Sequence, residues 1–189
     1  MTISNLSKKF GKKILFQNFS LNTEKSGIIA LWGESGKGKT TLLRMIAGLD
    51  KKYSGKIDCE NQNKIAYVFQ EARLLNNLTA LENVSLPLGN TKESLELAKE
   101  WLIKMGLEDD LNTYPEEMSG GMKQRVSLAR AFAYEGDILL LDEPFNGIDP
   151  ERTKAIMDIL LDYSKTHLCI LVTHNKEHID YLGCTTVNI

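Results

Sequence analysis

The sequence contains no long hydrophobic run. Its apolar stretches fall far short of the ~20 residues that a helix needs to cross a bilayer, and its first residues lack the apolar core of a signal peptide. We therefore expect that the chain does not itself span a membrane. This composition still allows the chain to bind a protein that spans the membrane.

Cysteines are few and the net charge is small. Cys59, Cys169 and Cys184 are scattered, odd in number and without metal-ligand spacing, which predicts reduced cytosolic thiols. The formal net charge is −2, and no dense cluster of lysine or arginine occurs, so we expect no nucleic-acid partner. The 189 residues, 42% hydrophobic and 25% charged, have the composition of one globular domain.

Strand and helix patterns alternate along the chain. Alternating apolar residues before Gly27 and within 54–70 predict short strands. The fully apolar runs 138–141 and 168–172 predict strands buried on both faces of a parallel sheet. Together these patterns predict an α/β fold. The residues predicted to cap helices are Thr91, Ser119 and Asp149.

A glycine-rich loop follows the apolar strand at 28–32 and opens an amphipathic helix, which is the setting of a phosphate-binding loop. Its glycines let backbone N–H groups point at phosphate oxygens, and the helix adds its unpaired N–H groups. Lys39 is then predicted to contact the β- and γ-phosphates and Thr40 to bind Mg²⁺. The alternative, an ordinary glycine-rich turn, is disfavoured by this context. The loop consists of Gly33, Glu34, Ser35, Gly36, Lys37, Gly38, Lys39 and Thr40, followed by Thr41.

Polar residues follow the predicted buried strands at the edge where open α/β sheets bind ligands. Asp142 is predicted to complete the Mg²⁺ shell, and Glu143 to orient and deprotonate an attacking water. The alternative role for this pair is to end a strand and cap a turn. His174 directly follows the strand at 168–172, which favours a contact with the γ-phosphate over a surface role.

Three further polar residues are interpreted more conservatively. Gln70 ends a predicted strand on the same side, where its amide can bind Mg²⁺ or orient water. Its spacing alone favours a simple hydrogen bond to a loop backbone. His167 precedes its strand and His178 lies on a short polar helix, so both are predicted to be structural.

A second glycine loop, Ser119-Gly120-Gly121, also opens a helix and so provides a second anion site by the same physics. Its alternative reading is a helix N-cap with flexible glycines. Because one nucleotide does not need two such loops from one subunit, the pair is best explained if each loop serves a different copy of the chain.

Over nearly all of its length, the sequence resembles the ATP-binding subunit of ABC (ATP-binding cassette) transporters. The motifs agree with that family in identity, order and spacing. They are Gly33–Thr41 (Walker A), Gln70 (Q-loop), Met118–Gln124 (LSGGQ signature), Leu139–Glu143 (Walker B), Gly147–Asp149 (D-loop) and Thr173-His174 (H-loop), with Phe10 where the family stacks an aromatic ring on adenine.

The resemblance implies a fold, an activity and partners. It implies a RecA-like P-loop NTPase core with an N-terminal antiparallel β subdomain, together spanning 1–70 and 136–189, and an inserted helical subdomain at 71–135. Two copies, or this chain and another ABC ATPase, would enclose ATP and Mg²⁺ head to tail and bind transmembrane permease subunits at the inner face of the cell membrane. The residues implied in catalysis are Lys39, Gln70, Glu143 and His174; those implied in Mg²⁺ binding are Thr40, Gln70 and Asp142; those implied in nucleotide binding are Phe10, the Walker A loop, Ser119, Gly120, Gly121 and Asp149.

Two residues depart from the family pattern. Met122 stands where the signature usually has glutamine, which removes a polar contact, and Lys37 replaces a small residue and is expected to face solvent. The sequence predicts an ATP-hydrolysing transport motor, with some resemblance to importers of nitrate, sulfonate or taurine. The alternatives are an exporter or lipoprotein-release ATPase, or a non-transport ABC ATPase, which usually carries two cassettes or a coiled-coil insertion.

Overall fold

A five-stranded parallel sheet forms the centre of the protein. The computed structural model describes residues 1–59 and 64–189, so part of the strand pattern predicted within 54–70 lies outside the described residues. The sheet order is β5-β6-β7-β3-β8. Every side chain of the central strands β6 and β7 is buried, and all are apolar except the aspartate that ends β6. The sequence predicts this burial for the apolar residues. The strands are β3 (Gly27–Trp32), β5 (Ile65–Val68), β6 (Ile138–Asp142), β7 (Leu168–Val172) and β8 (Thr185–Asn188).

The register of this sheet aligns the carboxyl ends of its strands. Val68 pairs with Leu141, Asp142 pairs with Val172, and Leu31 pairs with the same Val172 from the other side. All of these pairs are parallel, so the segments that follow β3, β5, β6 and β7 leave the sheet at one edge. The predicted phosphate loop and the predicted carboxylates therefore lie together.

A smaller antiparallel sheet is built from the N-terminal strands. Its order is β2-β1-β4, with β1 at Thr2–Phe10, β2 at Lys13–Asn22 and β4 at Ser54–Asp58. The register between β1 and β2 shifts between Ile3 and Lys9, which is consistent with bulges that increase local twist. Its apolar residues pack with α1 and the central sheet in one buried cluster.

Three helices from the middle of the chain pack on one another. They are α2 (Ala80–Ser85), α3 (Lys92–Lys104) and α4 (Gly120–Tyr134). Thr91 and Ser119 cap α3 and α4 by accepting backbone N–H hydrogen bonds, as predicted. The rings of Trp101 and Phe132 stack across α3 and α4 with centroids 5.2 Å apart. Among the described residues, no helix combines the length and apolarity needed to span a membrane.

The remaining helices flank the central sheet. They are α1 (Lys39–Ile46), α5 (Pro150–Tyr163) and α6 (Lys176–Leu182). Asp149 caps α5, and its side chain accepts a hydrogen bond from the Arg152 N–H at 2.9 Å, again as predicted. Because only the glycine-rich loop at 33–38 separates α1 from β3, the first turn of α1 begins at the edge of the sheet where the predicted site residues meet.

A buried ion pair joins the antiparallel sheet to the segment that follows α1. The Lys8 ammonium on β1 donates to the Asp50 carboxylate at 2.7 Å and to the Lys52 carbonyl at 2.8 Å. The Lys8 side chain is 2% exposed and that of Asp50 is 19% exposed. Asp50 lies just after α1, so this pair anchors the antiparallel sheet to the helix that follows the phosphate loop. A lysine this deeply buried needs a compensating charge.

We predict that Asp50→Ala lowers the free energy of unfolding by about 2 kcal/mol, because it leaves the buried Lys8 ammonium without its counter-ion. Urea denaturation at neutral pH measures this. The control is Asp162→Ala, which removes an exposed pair with Lys165 and should leave the midpoint nearly unchanged. Equal midpoints for the two variants would contradict the role given to the buried pair.

The same pair predicts a pH dependence. The hydrogen bond from Lys8 lowers the pKa of Asp50 in the folded protein. The stabilisation is therefore fully present above the unfolded pKa of about 4 and is lost as pH falls through the lower folded pKa. Wild-type protein should lose this increment below about pH 4, whereas Asp50→Ala has none to lose.

Candidate functional site

The predicted phosphate loop connects β3 to α1 in a conformation that its glycines permit. Gly36 and Gly38 have φ of 78° and 108°, a region that favours glycine. A Cβ at Gly38 would also come within 3.0 Å of the Phe16 ring. The side chain of Lys37 is 55% exposed, as expected, and lies 3.8 Å from the Glu34 carboxylate. The loop thus keeps its backbone open toward the edge of the sheet.

Lys39 lies inside this loop and is 5% exposed. Its ammonium donates to the Gly33 carbonyl at 2.6 Å and to the Glu34 carbonyl at 2.9 Å. These neutral carbonyls satisfy the ammonium only in part, because a buried cation is best compensated by a negative group. The position therefore suits an anion bound within the loop.

Asp142, at the end of β6, is brought against Thr40 across the sheet edge. The Thr40 hydroxyl donates to Oδ1 of Asp142 at 3.0 Å, although 102 residues separate them. Burial raises the pKa of Asp142, while the hydrogen bonds from Thr40 and Tyr67 act in the opposite direction. A hydroxyl and a carboxylate at this distance are the oxygen ligands that Mg²⁺ takes in nucleotide sites.

Tyr67 is a site residue that the sequence analysis did not identify. Its hydroxyl donates to Oδ2 of Asp142 at 3.3 Å. Burial, and then the Asp142 charge, raise the pKa of Tyr67, so the hydroxyl stays protonated and remains a donor. The missed signal was alternation in β5, which places Tyr67 opposite Leu140 of β6, one residue before the strand pairing ends.

Glu143 and His174 form a pair beside the same cavity. Oε1 of Glu143 lies 3.2 Å from Nε2 of His174, outside hydrogen-bond alignment, and is buried without a hydrogen-bond partner. Glu143 has φ of 49°, a left-handed conformation that is uncommon for a residue with a side chain, and its N–H donates to the Val172 carbonyl at 3.0 Å. Burial raises the pKa of Glu143, and His174 partly opposes this.

These residues line one cavity of about 330 Å³ at the carboxyl edge of the parallel sheet. Phe10 lies on its rim with 54% of its surface exposed, and the Lys8 ammonium lies 4.6 Å from the centroid of its ring. Gln70 also lines the cavity, so the structure brings it to the predicted site. Lys13, which the sequence analysis did not identify, lines it as well and donates to the Gly36 carbonyl at 3.1 Å. The cavity combines an exposed aromatic ring, cations and buried carboxylates, which suits a nucleotide.

The second glycine loop lies elsewhere. None of the described residues lining this cavity belongs to Ser119–Gly121. Ser119 instead caps α4, and its hydroxyl accepts from the Met122 N–H at 3.2 Å. A Cβ on Gly121 would overlap the Gly147 carbonyl oxygen, which precedes Asp149 in the chain. The structure therefore places Ser119–Gly121 against the 147–149 turn and away from the phosphate loop.

A protein-family model described as ABC transporter matches residues 16–146. The chain is 33% identical to the ergothioneine transport ATP-binding protein EgtV of Helicobacter pylori (strain G27), with 100% of this chain and 96% of that protein covered. It is 37% identical to the aliphatic sulfonates import ATP-binding protein SsuB of Bacillus subtilis (strain 168), over 97% of this chain and 77% of that protein. It is 34% identical to the lipoprotein-releasing system ATP-binding protein LolD of Rickettsia bellii (strain RML369-C), over 94% of this chain and 89% of that protein.

A solved structure has a similar fold. It is the dimeric post-hydrolysis state of the ATP-binding cassette MJ0796 bound to ADP and Pi, with a TM-score of 0.84 and 31% sequence identity. The match covers 96% of this chain and 91% of that chain. Together with the parallel sheet and the phosphate loop, this similarity supports the predicted RecA-like P-loop NTPase core.

We predict opposite effects for the two adjacent glycines at the start of α4. Gly121→Ala should destabilise the protein by about 1–3 kcal/mol, because its methyl group would overlap the Gly147 carbonyl. Gly120→Ala is the matched control. Nothing lies within 4 Å of its added methyl group, so it should be neutral or stabilising by up to about 1 kcal/mol.

The measurement is urea denaturation of each variant without nucleotide. A Gly121→Ala protein as stable as the Gly120→Ala protein would show that the 147–149 turn is not held against Gly121.

Proposed function

The chain belongs to the ABC transporter family of ATP-binding proteins, and we propose on that premise that it is the ATP-hydrolysing motor subunit of a transporter. The observation that carries the proposal is the convergence at one cavity of Lys39, Thr40, Asp142, Glu143 and His174 from separate segments. Phosphoryl transfer depends mainly on positioning and charge neutralisation, and these groups supply both.

Nucleotide binding uses the loop and the aromatic platform. The backbone N–H groups of the phosphate loop and the first turn of α1 bind the phosphate oxygens. The Lys39 ammonium exchanges the two loop carbonyls for the β- and γ-phosphates, which provide the charge that the carbonyls lack. Phe10 offers its exposed ring to the adenine. In the proposed complex the adenine stacks on this ring at the rim of the cavity.

The oxygen atoms of Thr40 and Asp142 fit a magnesium ion, and Gln70 is placed to join them. A bound Mg²⁺ would neutralise negative charge on the phosphates during phosphoryl transfer. Tyr67 holds Oδ2 of Asp142, so Oδ1 stays directed at Thr40. The chain thus fixes both protein ligands before any ion arrives, which reduces the cost of ordering them.

Glu143 acts as the general base. Oε1 of Glu143 is buried and has no hydrogen-bond partner among the described residues. The pKa of the Glu143 carboxyl group is raised, which makes the carboxylate a stronger base. The carboxylate takes a proton from water as the water oxygen bonds to the γ-phosphorus and the bond to the ADP oxygen breaks. His174 lies beside Glu143, where it contacts the γ-phosphate and orients it for attack.

Two copies of the chain complete the sites. The Ser119–Gly121 loop lies away from the cavity of its own subunit, and the similar cassette MJ0796 is dimeric. In the proposed head-to-tail dimer, Ser119, Gly120 and Gly121 contact the phosphates held by the partner's phosphate loop. Asp149 lies at the same interface. The partner is a second copy of this chain or another ABC ATPase.

The relatives named as ATP-binding proteins of transport systems support membrane partners for this chain. We propose that the dimer binds transmembrane permease subunits at the cytoplasmic face of the membrane. The similarity to SsuB favours import of a small solute such as a sulfonate. The similarity to LolD favours a lipoprotein-releasing system as the second candidate.

We predict that Glu143→Gln retains ATP binding and loses at least about 100-fold in turnover, because the amide keeps the shape but cannot accept the proton. ATP binding is measured by equilibrium titration, and turnover by phosphate release. In the presence of ATP, this variant should accumulate as a dimer in size exclusion with light scattering. The matched control is Glu100→Gln on the exposed face of α3, which should leave both measurements unchanged.

Wild-type turnover in Glu143→Gln would overturn the assignment of the base. A variant that binds ATP without turnover but remains a monomer would support the base and contradict the two-copy site.

A further inference from the structure

We infer that His178, on α6, is a positioning residue for the proposed hydrolysis reaction: its neutral ring ties the segment carrying His174 to the segment carrying Glu143. The effect of His178 on catalysis rests on the proposed function. The contacts that support it lie outside the phosphate loop and the proposed Mg²⁺ ligands.

The ring of His178 bridges two segments. It packs edge-on against Phe145, two residues after Glu143, with centroids 4.9 Å apart and an interplanar angle of 76°. Its Nδ1 lies 3.2 Å from the hydroxyl of Thr173, the residue immediately before His174. Thr173 and Phe145 are both buried. Each segment that supplies a reacting side chain is therefore in contact with the same imidazole.

The hydrogen bonds around Asn175 determine which nitrogen of His178 carries the proton. Oδ1 of Asn175 accepts the N–H of Glu177 at 2.8 Å, as the N-cap of α6, so the other side-chain atom is the Nδ2 amide. This amide lies 3.3 Å from Nε2 of His178. An amide nitrogen only donates, so Nε2 accepts and carries no proton.

The proton of the neutral ring then lies on Nδ1 and is donated to the Thr173 hydroxyl oxygen. That oxygen also accepts the Asn175 N–H at 3.1 Å, which uses its second lone pair. These three contacts are satisfied together only by the neutral imidazole protonated at Nδ1. Adding a proton at Nε2 would set an N–H against the Asn175 amide, so the charged ring breaks this contact.

The surroundings favour the neutral ring. Burial lowers the pKa of His178, and Glu177 partly opposes this. The adjoining cavity is about 760 Å³ in volume. The titratable groups that line it together with His178 are Glu143 and His174 from the sheet edge, Lys154 from α5, and Lys176, Glu177 and Tyr181 from α6. Below the pKa of His178, the ring becomes charged and releases Asn175, and the segment carrying His174 loses one of its anchors.

The first test measures the network without nucleotide. The chain has three histidines, His167, His174 and His178, so each can be assigned in imidazole NMR spectra by substitution. We expect His178 to be the Nδ1–H tautomer at neutral pH and to titrate below the ordinary value of about 6.5. Asn175→Asp keeps the cap but places a carboxylate against Nε2, so the pKa of His178 should rise. An Nε2–H tautomer, or an unchanged pKa in Asn175→Asp, would overturn the inference.

The second test measures the reaction. His178→Phe keeps the ring contact with Phe145 but removes both nitrogens, and its kcat for ATP should fall on the order of 10-fold with KM little changed, since misplaced reacting groups slow the chemical step. In wild-type protein, kcat should fall as pH drops through the pKa of His178, and His178→Phe should lose this part of the pH dependence. In Asn175→Asp, the fall in kcat on the acidic side should occur at a higher pH. The matched control is His167→Phe at the opposite end of β7, which should keep the wild-type kcat and profile.

The outcomes separate the two proposals. Wild-type protein without ATPase activity would overturn the proposed function, and the inferred catalytic consequence with it. Active wild-type protein whose kcat and pH profile are unchanged by His178→Phe would overturn the inference and leave the proposed function intact.

Discussion

The parallel pairing of β7 with β6 on one side and with β3 on the other is the constraint on which the rest of the structure depends. Hydrogen bonding sets Asp142 opposite Val172, and Leu31 opposite the same residue. A shift of one residue in either pairing would turn the alternating side chains to the wrong faces. It would also separate the ends of the strands. The fully buried apolar side chains of β6 and β7 thus fix the positions of Asp142, Glu143 and His174, which end or follow these strands.

This alignment brings together groups that would otherwise avoid burial. Asp142 is 2% exposed and Glu143 8% exposed, close to the buried ammonium of Lys39. The Lys39 ammonium donates hydrogen bonds to loop carbonyls, and Oε1 of Glu143 has no hydrogen-bond partner in the part of the chain that the structure describes, although Nε2 of His174 lies 3.2 Å away. Glu143 also adopts a left-handed backbone conformation. Unsatisfied groups and backbone strain of this kind concentrate at functional sites, where a ligand relieves them.

Local chemistry made much of this structure predictable. The caps at Thr91, Ser119 and Asp149 depend only on neighbouring residues, and each was predicted from the sequence. The burial of β6 and β7 followed from their uninterrupted apolar composition. The convergence of Thr40 with Asp142 was predicted because parallel strands present their carboxyl ends at one edge, so a separation of 102 positions along the chain did not matter.

Contacts that depend on side-chain direction were not predictable from spacing. Tyr67 looked like an ordinary strand residue, and only the pairing of β5 with β6 directs its hydroxyl to Asp142. Lys8 and Asp50, 42 positions apart in the chain, meet because β1 pairs with β4 and Asp50 lies in the segment that leads into β4. His178 was predicted to be structural, and its partners Phe145 and Thr173 are adjacent to the reacting residues only in the folded chain. Phe10 was assigned by family resemblance and not by its own pattern.

The central claim is that each hydrolytic site requires the phosphate loop of one copy and the Ser119–Gly121 loop of another. The most direct test is the rate of ATP hydrolysis per subunit as a function of protein concentration, with the mass of the protein followed by light scattering. The account predicts that the rate per subunit rises with concentration and levels off as dimers form. A constant rate per subunit, from protein that stays monomeric throughout, would contradict it.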